Sequence, residues 1–364
     1  MDFQLSEDQI TQRKWLHEFA EREIRPVAPQ YDEAEEFPWP VLKKAAEAGI
    51  YSLEFYTEIA AGDPTGLGLP IALEETCWGC AGIALSVFGT GLPLASLAYT
   101  ATPDQLQEWA PKMFGTPQDP KLGAFAVTEP NAGSDVSALR TTAKRDGDEW
   151  VLNGQKVFIT NGGIADVHVV VATVDPELGH RGQASFIVGP GTPGLKQGKK
   201  ERKLGIRASH TAEVLLEDCR IPIENVVGGM EKLDAKLERA RGAGGTRAST
   251  ALKTFEMTRP SVAAQAVGIA RAALEFAVDY SKDRQTFGRP IIEHQGVAFK
   301  LADMAMEVDA ARLLTWRAAW MARTGSDFPH AEGSMSKLKA GEVAVRVTEE
   351  AVQILGGYGF IKDF

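Results

Sequence analysis

The hydrophobic pattern of this chain changes twice, and these two changes constrain its fold more than any other feature. Before about residue 120, apolar side chains recur at helical spacing, as in the series from Ile10 to Ile24. From Leu122 short β-rich runs follow one another, and after Gly229 long amphipathic stretches return. Because apolar side chains recur about every 3.6 residues in a helix and every two in a strand, the chain is predicted to run α, then β, then α.

We therefore predict an α+β fold with three domains. These are an all-α N-terminal domain over residues 1–120, a β-barrel-like domain over 121–230 and an antiparallel helical bundle over 231–364. The length of 364 residues and the apolar fraction of 44% suit two or three separate cores. Three long C-terminal helices would make a bundle that is one helix short. The charged, then glycine-broken stretch 231–249 is predicted to be a mobile or extended lead-in to that bundle.

Local signals refine this outline. Ser6 with Gln9 forms a capping-box pattern at the first helix, and Thr102 or Asp104 is predicted to cap a later one. The Asn153-Gly154 pair lies between β-rich runs and predicts a hairpin turn. Further strands are predicted within 167–174, 184–190 and 212–222, and a continuous buried helix over 69–89.

The charge balance excludes some classes of protein. A net charge of −10 and a pI near 5.3 argue against a general nucleic-acid binder. The basic run Leu195–Arg207 interrupts the acidic trend and is either a solvated loop or an anion site. The N-terminus has no apolar signal region, and no stretch approaches the ~20 apolar residues of a membrane span. A cytoplasmic protein without a membrane span is therefore predicted.

The cysteines and histidines point to no metal or redox site. Three cysteines form an odd, sparse set that fits a reducing compartment. Cys77 and Cys80 make a C-x-x-C pattern, but a redox dithiol needs this pattern at a helix start after a strand, and here it lies within the predicted continuous helix. The six histidines are scattered without metal-ligand spacing. No metal is expected.

Familiar nucleotide and hydrolase motifs are absent from the sequence: no G-x-G-x-x-G after a strand, phosphate loop, H-E-x-x-H or G-x-S-x-G occurs. The stretch "AFAVTEPNAGSDVSALR" (124–140) instead predicts a short strand followed by a polar turn. Thr128, Ser134 and the backbone N–H groups of that turn could bind a ring edge or a phosphate. A β-bulge loop with an Asx cap explains the same residues.

Three further stretches carry groups suited to a flat, phosphate-bearing ligand. In "KVFITNGG", Phe158 and Thr160 would share one face of a strand and so form a wall for a heterocycle. Between two predicted helices, "DRQTFGRPIIEHQ" offers Arg284 and Arg289 for phosphates and Phe287 for a ring. The closing "QILGGYGF" follows a helix-like run with glycines that permit close backbone approach.

In this order and spacing, the four stretches resemble the acyl-CoA dehydrogenase family. "VTEPNAGSDV" and "QILGGYGF" are similar to that family's signature segments, and "LGIRASHTAEVLLEDCRIP" resembles its middle-domain signature. The resemblance covers nearly the whole chain. It implies a helical, a β and a helical domain, bound FAD, a CoA thioester substrate and a homotetramer built as a dimer of dimers.

The resemblance also implies roles for individual residues. Thr160 would donate to flavin N5, Phe158 replaces the family's usual tryptophan, and Ser134 would lie near the CoA phosphates or the flavin edge. The FAD-binding residues are expected to include several from a neighbouring subunit. They are Phe125, Val127, Thr128, Gly133, Ser134, Phe158, Thr160, Arg284, Phe287, His294, Gln295, Gln353, Gly356 and Gly357.

The substrate channel is carried over from "FEMTRP" (255–260). Phe255 would line it and Arg259 would support the active site, while Ser134, near the CoA phosphates, is the third residue expected to serve the substrate. No catalytic base is identified within 1–364: one family position is held by Thr258, and Glu256 points ~200° away around the helix. The family's active-site Glu is expected beyond Phe364.

The activity that the resemblance implies is α,β-dehydrogenation of an acyl-CoA to the trans-2-enoyl-CoA in fatty acid β-oxidation, with electrons passed to an electron-transfer flavoprotein. Removing the α-proton requires a carboxylate base and donors to the developing enolate oxygen, while the hydride goes to the flavin. Two alternatives stay open: an acyl-CoA oxidase, in which O₂ reoxidises the flavin, and a non-catalytic FAD- or CoA-binding subunit of a mixed oligomer.

Overall fold

The computed structural model describes residues 4–242, 250–325 and 328–364, and for 250–257 it describes the backbone alone. Its N-terminal part is helical, as the hydrophobic pattern predicts. Short π and 3₁₀ turns join the helices. The α-helices are α1 (Glu7–Phe19), α2 (Ala28–Ala34), α3 (Trp39–Glu47), α4 (Leu53–Thr57), α5 (Gly68–Gly79), α6 (Ala81–Phe88), α7 (Gly91–Thr100) and α8 (Pro103–Phe114).

Two of these helices begin with the predicted caps. The Ser6 hydroxyl accepts the Gln9 N–H at 3.2 Å, and the Gln9 side chain accepts the Ser6 N–H at 3.0 Å. Thr102 and Gln105 form the same reciprocal pair at α8, so Thr102 rather than Asp104 is the cap. Both capping boxes satisfy N–H groups that the first helical turn leaves without partners.

Asp63 organises the loop before α5. Its carboxylate accepts the N–H groups of Gly68 and Thr65 at 2.6 and 2.8 Å, and the Gln9 amide at 3.3 Å. Burial alone would raise the pKa of Asp63, but the Thr65 hydroxyl and the backbone N–H groups outweigh burial and hold that pKa below its usual value. The ionised carboxylate therefore stabilises this loop.

Asp63→Asn is expected to lower the free energy of unfolding by about 1–2 kcal/mol at neutral pH, because charge-assisted bonds to two N–H groups are weakened. A depressed carboxyl pKa contributes stability above the unfolded pKa of ~3.9 and loses it as the pH falls through the folded value. The difference from wild type should therefore vanish in acid. Urea unfolding at neutral and acidic pH measures this. Exposed Glu47→Gln serves as the control, and a pH-independent difference would contradict the assignment.

The predicted continuous helix over 69–89 is wrong, because the chain breaks between α5 and α6. The Cys80 backbone is extended (φ −168°, ψ 120°), so the C-x-x-C pattern ends a helix instead of beginning one. Gly79 precedes the break, and a Cβ there would approach the Ile24 side chain to 3.0 Å. Burial raises the pKa of the Cys77 thiol, which keeps it protonated.

Two described stretches are long and apolar enough to cross a membrane, although the sequence was expected to contain none: 81–100 and 258–283. Both have a simpler explanation within the fold. The first is interrupted by a turn at Gly89 and Thr90, and its Ile83 and Val87 are fully buried in the protein core. The second contains the buried, ion-paired Arg271. Core helices of this kind meet the same length and hydropathy criteria.

The central part of the chain forms one mixed seven-stranded sheet in the order β1-β4-β2-β3-β7-β6, with β5 added beside β4. The β1–β4 and β2–β4 pairings are parallel and the others antiparallel. The strands are β1 (Gly123–Ala126), β2 (Thr142–Asp146), β3 (Glu149–Thr160), β4 (Val167–Thr173), β5 (Gln183–Val188), β6 (Leu195–Lys200) and β7 (Thr211–Pro222). All three segments predicted to contain strands do so.

The predicted hairpin at Asn153-Gly154 is wrong. β3 runs through this pair, and its register against β7 shifts there, which marks a β-bulge. The Asn153 amide bonds Asp218 across the strands at 3.1 Å, and a Cβ at Gly154 would lie 2.4 Å from Thr141 Oγ1. Close packing, not a turn, requires this glycine. The turn between β2 and β3 contains Gly147 at φ +62° instead.

A helix, α9 (Met230–Gly242), follows the sheet where a mobile or extended lead-in was predicted. Leu233 and Leu237 are four residues apart on α9 and are buried in the core of the sheet, which is why this charged stretch is helical. Residues 243–249 lie outside the described part of the chain.

Three long helices follow, as predicted: α10 (Thr250–Asp283), α11 (Gln295–Arg323) and α12 (Glu332–Leu355). Two short strands, β8 (Gln285–Thr286) and β9 (Arg289–Pro290), lie between α10 and α11. The apolar faces of the long helices share one core, which contains Val267, Met304 and Val347. The fold class is therefore confirmed: helical N-terminal part, central sheet, helical C-terminal part.

The packing of the chain defines two compact units. One contains residues 1–28, 56–84 and 256–364, and the other contains 29–55 and 85–255. Helices α1 and α5 thus belong to the same unit as the long C-terminal helices. The three domains predicted at 1–120, 121–230 and 231–364 stay a prediction.

A cluster of buried charges lies within the first of these units. Arg271 of α10 donates to Glu74 at 2.9 Å and to Glu75 at 2.7 Å, both on α5. Arg312 of α11 also binds Glu74 at 2.9 Å, and Arg13 of α1 binds Glu75 at 2.8 Å. Burial would raise the pKa of Glu75, but Arg271 and Arg13 outweigh burial and hold the pKa below its usual value. These ion pairs connect α1, α5, α10 and α11.

Candidate functional site

The first candidate site begins where β1 ends, in the loop over residues 127–141. Glu129 and Ala132 exchange backbone hydrogen bonds of 3.1 Å and so close a tight turn. Gly133 and Ser134 follow and are exposed. A Cβ at Gly133 would meet no atom within 4 Å, so this backbone is open to a ligand. Phe125 and Val127, which were predicted to line a flavin, are buried.

A buried ion pair, which the sequence analysis missed, lies beneath this loop. The Lys156 ammonium donates to Glu129 Oε1 at 2.7 Å and to the Val127 carbonyl at 2.9 Å. The same carboxylate accepts the N–H groups of Arg140 and Thr141 at 2.6 and 3.0 Å. Glu129 therefore joins the two ends of the loop to each other and to β3. No local pattern reveals a pair 27 residues apart in sequence.

The surroundings of the pair shift both pKa values downward. Burial lowers the pKa of Lys156 to about 8, although the attraction of Glu129 opposes this change. Burial would raise the pKa of Glu129, but Lys156 and the neighbouring N–H groups outweigh burial and keep that pKa below its usual value. At neutral pH both groups are charged, so the contact is a charge-assisted hydrogen bond.

β3 ends in a second bulge that carries the predicted ring-binding residues. The register against β7 shifts between Lys156 and Ile159, and Phe158 takes a positive φ of 59°. Phe158 is 65% exposed, whereas Ile159 is buried and Thr160 is half-buried. The sequence placed Phe158 and Thr160 on a regular strand, but a bulge presents Phe158. The Val157 N–H bonds the Thr128 carbonyl at 2.9 Å and holds the bulge against the loop.

Two buried histidines, His168 on β4 and His210 just before β7, support the turn after β3. His168 Nε2 accepts the Gly163 N–H at 3.1 Å, and burial lowers its pKa to about 4, so it is neutral. His210 Nε2 lies 3.0 Å from the Gly162 carbonyl. Within the part of the chain that the structure describes, no group of three or more His, Cys, Asp or Glu side chains could hold a metal ion.

The second candidate site belongs to the other compact unit and is built on a hairpin that the sequence analysis did not predict. β8 and β9 are joined by Phe287 and Gly288, both at positive φ (52° and 78°). Phe287 is 97% exposed, and its ring lies edge-on to that of His294, with the ring centroids 6.0 Å apart. Gln295 begins α11 next to this histidine and is exposed.

The hairpin and the end of α12 lie together. Tyr358 lies in the turn that follows α12, and the Arg284 guanidinium is 5.7 Å from the centre of its ring. Gly356 ends the helix at φ +60° and ψ −130°, a conformation that glycine adopts without strain. Gln353, Gly356 and Gly357 are exposed, and a Cβ on either glycine would meet no atom within 4 Å. The structure therefore brings together the residues predicted from two separate motifs.

The two arginines of the hairpin suit an anionic ligand. In the residues that the structure describes, neither Arg284 nor Arg289 pairs with a carboxylate. Arg289 bonds His294 Nδ1 at 3.2 Å. An exposed guanidinium without a carboxylate partner, beside an open glycine turn, matches the forked geometry of phosphate recognition.

The predicted substrate residues are only partly described. Arg259 donates to the Ser334 hydroxyl at 2.8 Å, which joins α10 to α12. Thr258 is half-buried on α10. The side chains of Phe255 and Glu256 lie outside the described residues. The role of Arg259 at an active site therefore stays a prediction.

The basic run Leu195–Arg207 bonds the chain's own acidic segment. Arg207 donates to the Asp32 carbonyl at 2.8 Å and lies 3.3 Å from the Glu35 carboxylate. Lys200 donates to the Glu35 carbonyl, and Lys203 to Ser209 and Thr211. An intramolecular anchor between the β6–β7 loop and the end of α2 thus explains these cations.

Three domain families match the chain in order. Residues 6–116 match the family "Acyl-CoA dehydrogenase, N-terminal domain", residues 124–219 match the middle domain, and residues 247–364 match the C-terminal domain. Together these matches cover most of the chain and include both candidate sites.

Individual relatives agree with these matches. The short-chain specific acyl-CoA dehydrogenase of Rattus norvegicus mitochondria is 41% identical over 354 residues, which are 96% of this chain and 81% of the relative. The short-chain specific acyl-CoA dehydrogenase of Clostridium acetobutylicum is 38% identical and covers 100% of this chain and 92% of the relative.

Solved structures share the fold along the whole chain. Butyryl-CoA dehydrogenase of Megasphaera elsdenii superposes with a TM-score of 0.87 at 37% identity, covering 100% of this chain and 92% of that one. A structure reported for the electron transferring flavoprotein of Acidaminococcus fermentans gives a TM-score of 0.86 at 37% identity, covering 100% and 91%. The fold, the order of the matched domains and these relatives lead to one conclusion: the chain belongs to the acyl-CoA dehydrogenase family of oxidoreductases, which act on the CH–CH bond of acyl-CoA thioesters.

Proposed function

We propose that this chain is an FAD-dependent acyl-CoA dehydrogenase that converts a short acyl-CoA to the trans-2-enoyl-CoA in fatty acid β-oxidation. The observation that carries the proposal is family membership over the whole chain. The short-chain preference rests on relatives that are short-chain specific or butyryl-CoA dehydrogenases. Passage of electrons to an electron-transfer flavoprotein is supported by the structural match that names such a protein.

The residues of the first site fit the ring of a flavin. Phe158 exposes most of an aromatic face to solvent at the end of β3, and such a face gains free energy when a flat heterocycle covers it. Thr160 offers a hydroxyl two residues on, and Ser134 adds another from an open turn. Bound FAD would supply the acceptor for the β-hydride of the substrate. Phe158 would support the ring, and Thr160 would orient it by a hydrogen bond.

The residues of the second site fit the phosphates of the cofactor. Arg284 would bind a phosphate oxygen, Gly356 and Gly357 would let the backbone approach, and Phe287 with His294 would pack against the remaining surface. We propose that they do so toward a neighbouring subunit of a homotetramer. Arg259, held by Ser334, would support the substrate. None of the assigned residues is the acceptor of the α-proton.

Binding and spectroscopy test this function directly. The purified chain, titrated with FAD, is expected to bind it and to show the visible absorption band of a protein-bound flavin. Acyl-CoA thioesters from butyryl-CoA to stearoyl-CoA, as well as branched and aromatic ones, should then be offered to the loaded protein. The largest change in the flavin spectrum should come with the short chains. Failure to bind FAD, including after reconstitution, would contradict the proposal.

Two further measurements separate the alternatives. Oxygen consumption on addition of substrate would indicate an oxidase, whereas dye reduction without oxygen consumption would indicate a dehydrogenase. FAD binding without any spectral change on addition of any thioester, both in this chain and in the chain extended by its natural downstream sequence, would favour a non-catalytic subunit. Light scattering of the loaded protein should give the mass of a tetramer.

A further inference from the structure

The Lys156–Glu129 pair is more costly than the fold of the sheet requires. Lys156 is 0% exposed and Glu129 is nearly so. Taking two charges out of water costs several kcal/mol for each ion, and apolar side chains of similar volume often replace a buried pair without loss of stability. Core strands such as β4, whose residues are all buried, are largely apolar in this protein. Unlike apolar packing, the pair supplies hydrogen bonds to the surrounding backbone.

Hydrogen bonds at fixed positions are what the pair supplies. Glu129, near the start of the loop over residues 127–141, accepts the N–H groups of Arg140 and Thr141 at its end, so that one carboxylate joins the two ends of the loop. Lys156 completes the arrangement from β3 by bonding Glu129 and the Val127 carbonyl. The middle of the loop is held separately, because Gln183 donates to the Val136 carbonyl at 2.6 Å. Between these anchors, the turn with Gly133 and Ser134 stays exposed.

The same ion pair also affects the position of Phe158, the exposed aromatic residue of the site. Lys156 is the last residue in regular register before the bulge, and Phe158, two residues later, takes the positive φ that turns its ring outward. The Val157 N–H bonds the Thr128 carbonyl. A shift of Lys156 would therefore move the loop and the ring relative to each other. A non-glycine residue at φ +59° is strained and persists only where its surroundings hold it.

We propose that Lys156 and Glu129 are positioning residues that preset the turn around Ser134 and the ring of Phe158 in the geometry that the flavin needs. This inference rests on the proposed function, since it assumes that FAD binds there. Neither side chain is placed against the cofactor. They act through the backbone of the loop and of β3, which they hold before the cofactor arrives, and such preorganisation raises affinity by reducing the ordering that binding requires.

Lys156→Met tests the proposal, because methionine keeps much of the volume and removes the charge and its hydrogen bonds. The variant is expected to weaken FAD binding about tenfold, which is the scale of one charge-assisted contact. In the FAD-free protein, hydrogen exchange at the Arg140 and Thr141 amides should become faster, since their acceptor is no longer held. Both quantities are measured with the full chain, the first by FAD titration.

Ile221→Ala is the matched control. This residue is buried in the same core, beside Trp150 near the other end of β3, and its truncation destabilises the fold without touching the loop. It should leave FAD affinity and exchange at Arg140 and Thr141 close to wild type. If Ile221→Ala loses as much FAD affinity as Lys156→Met, general destabilisation of the fold explains both losses, and the proposal is overturned.

Glu129→Gln provides a second, independent variant in case Lys156→Met does not fold. Its single acceptor oxygen cannot serve Lys156 and both N–H groups, so faster exchange at Thr141 and weaker FAD binding are expected again. Wild-type exchange and wild-type FAD affinity in the variant that folds would refute the positioning role. Lack of FAD binding by the wild-type chain would instead refute the proposed function, while the exchange measurement in FAD-free protein would still report whether the pair holds the loop.

Discussion

Replacing Arg271 by leucine is expected to lower the free energy of unfolding by about 3–5 kcal/mol, the range measured when one partner of a buried ion pair is removed. Glu74 would keep Arg312 and Glu75 would keep Arg13, but both carboxylates would lose their buried partner on α10. Denaturant unfolding at neutral pH measures the loss. Few single substitutions in this protein should have a larger effect, because few remove a charge buried between two others.

The pH dependence distinguishes this explanation from a simple packing defect. The pKa of Glu75 lies below its usual value in the folded protein, so its contribution is present above the unfolded pKa of about 4.3 and is lost as the pH falls through the folded value. The gap between Arg271→Leu and wild type should therefore narrow in acid. Lys282→Ala, which removes an exposed ion pair with Asp279 on the same helix, should change stability by less than about 1 kcal/mol. A deficit of the same size at every pH would mean that packing, not charge, dominates.

The second large effect is expected on cofactor binding. Arg284→Ala should weaken FAD affinity about tenfold or more while leaving the unfolding of the FAD-free protein nearly unchanged. The guanidinium is exposed and lacks a carboxylate partner among the described residues, so its removal costs the fold little. A hydrogen bond between charged groups contributes about 1.5–3 kcal/mol, which corresponds to this loss of affinity. FAD titration and thermal unfolding with and without FAD give the two quantities.

Arg346→Ala is a suitable control for this prediction. Arg346, on α12, is also an exposed arginine of the same compact unit, but it forms an ion pair with Glu307 on α11. Its removal should leave FAD affinity unchanged. If the proposed contact crosses a subunit boundary, Arg284→Ala should also make the proposed tetramer dissociate at a higher protein concentration when FAD is limiting, because binding and assembly are linked. Wild-type FAD affinity in Arg284→Ala would assign this arginine to the surface or to the Tyr358 contact alone.

Much of the architecture could be predicted because its signals are local. Ser6 with Gln9 and Thr102 with Gln105 specify helix starts within four residues of chain, and the structure contains both capping boxes. The strands at 167–173 and 183–188 follow from short apolar runs between turn residues. The family could be recognised for a similar reason, since each signature is a continuous segment.

The errors arose where a local signal competes with packing. Asn153-Gly154 is a strong turn signal, yet β7 pairs with the residues on both sides of it, and the glycine is needed because Thr141 lies against it. The stretch 69–89 has a continuous apolar pattern, but the chain breaks at Cys80. The charged residues of 230–242 favoured an irregular segment, whereas burial of Leu233 and Leu237 against the sheet makes them helical.

The sequence by itself determined the order of helical and strand regions, the main helix caps, the polar loop after β1 and the glycine turn after α12, because each depends on residues close together in the chain. Tertiary structure alone decided which charges are buried. Glu75 meets Arg271 from 196 residues away and Glu129 meets Lys156 from 27. A lysine or glutamate is ordinarily a surface residue, because burying an unpaired charge costs several kcal/mol. Only the folded structure shows that each of these buried residues has an oppositely charged partner beside it.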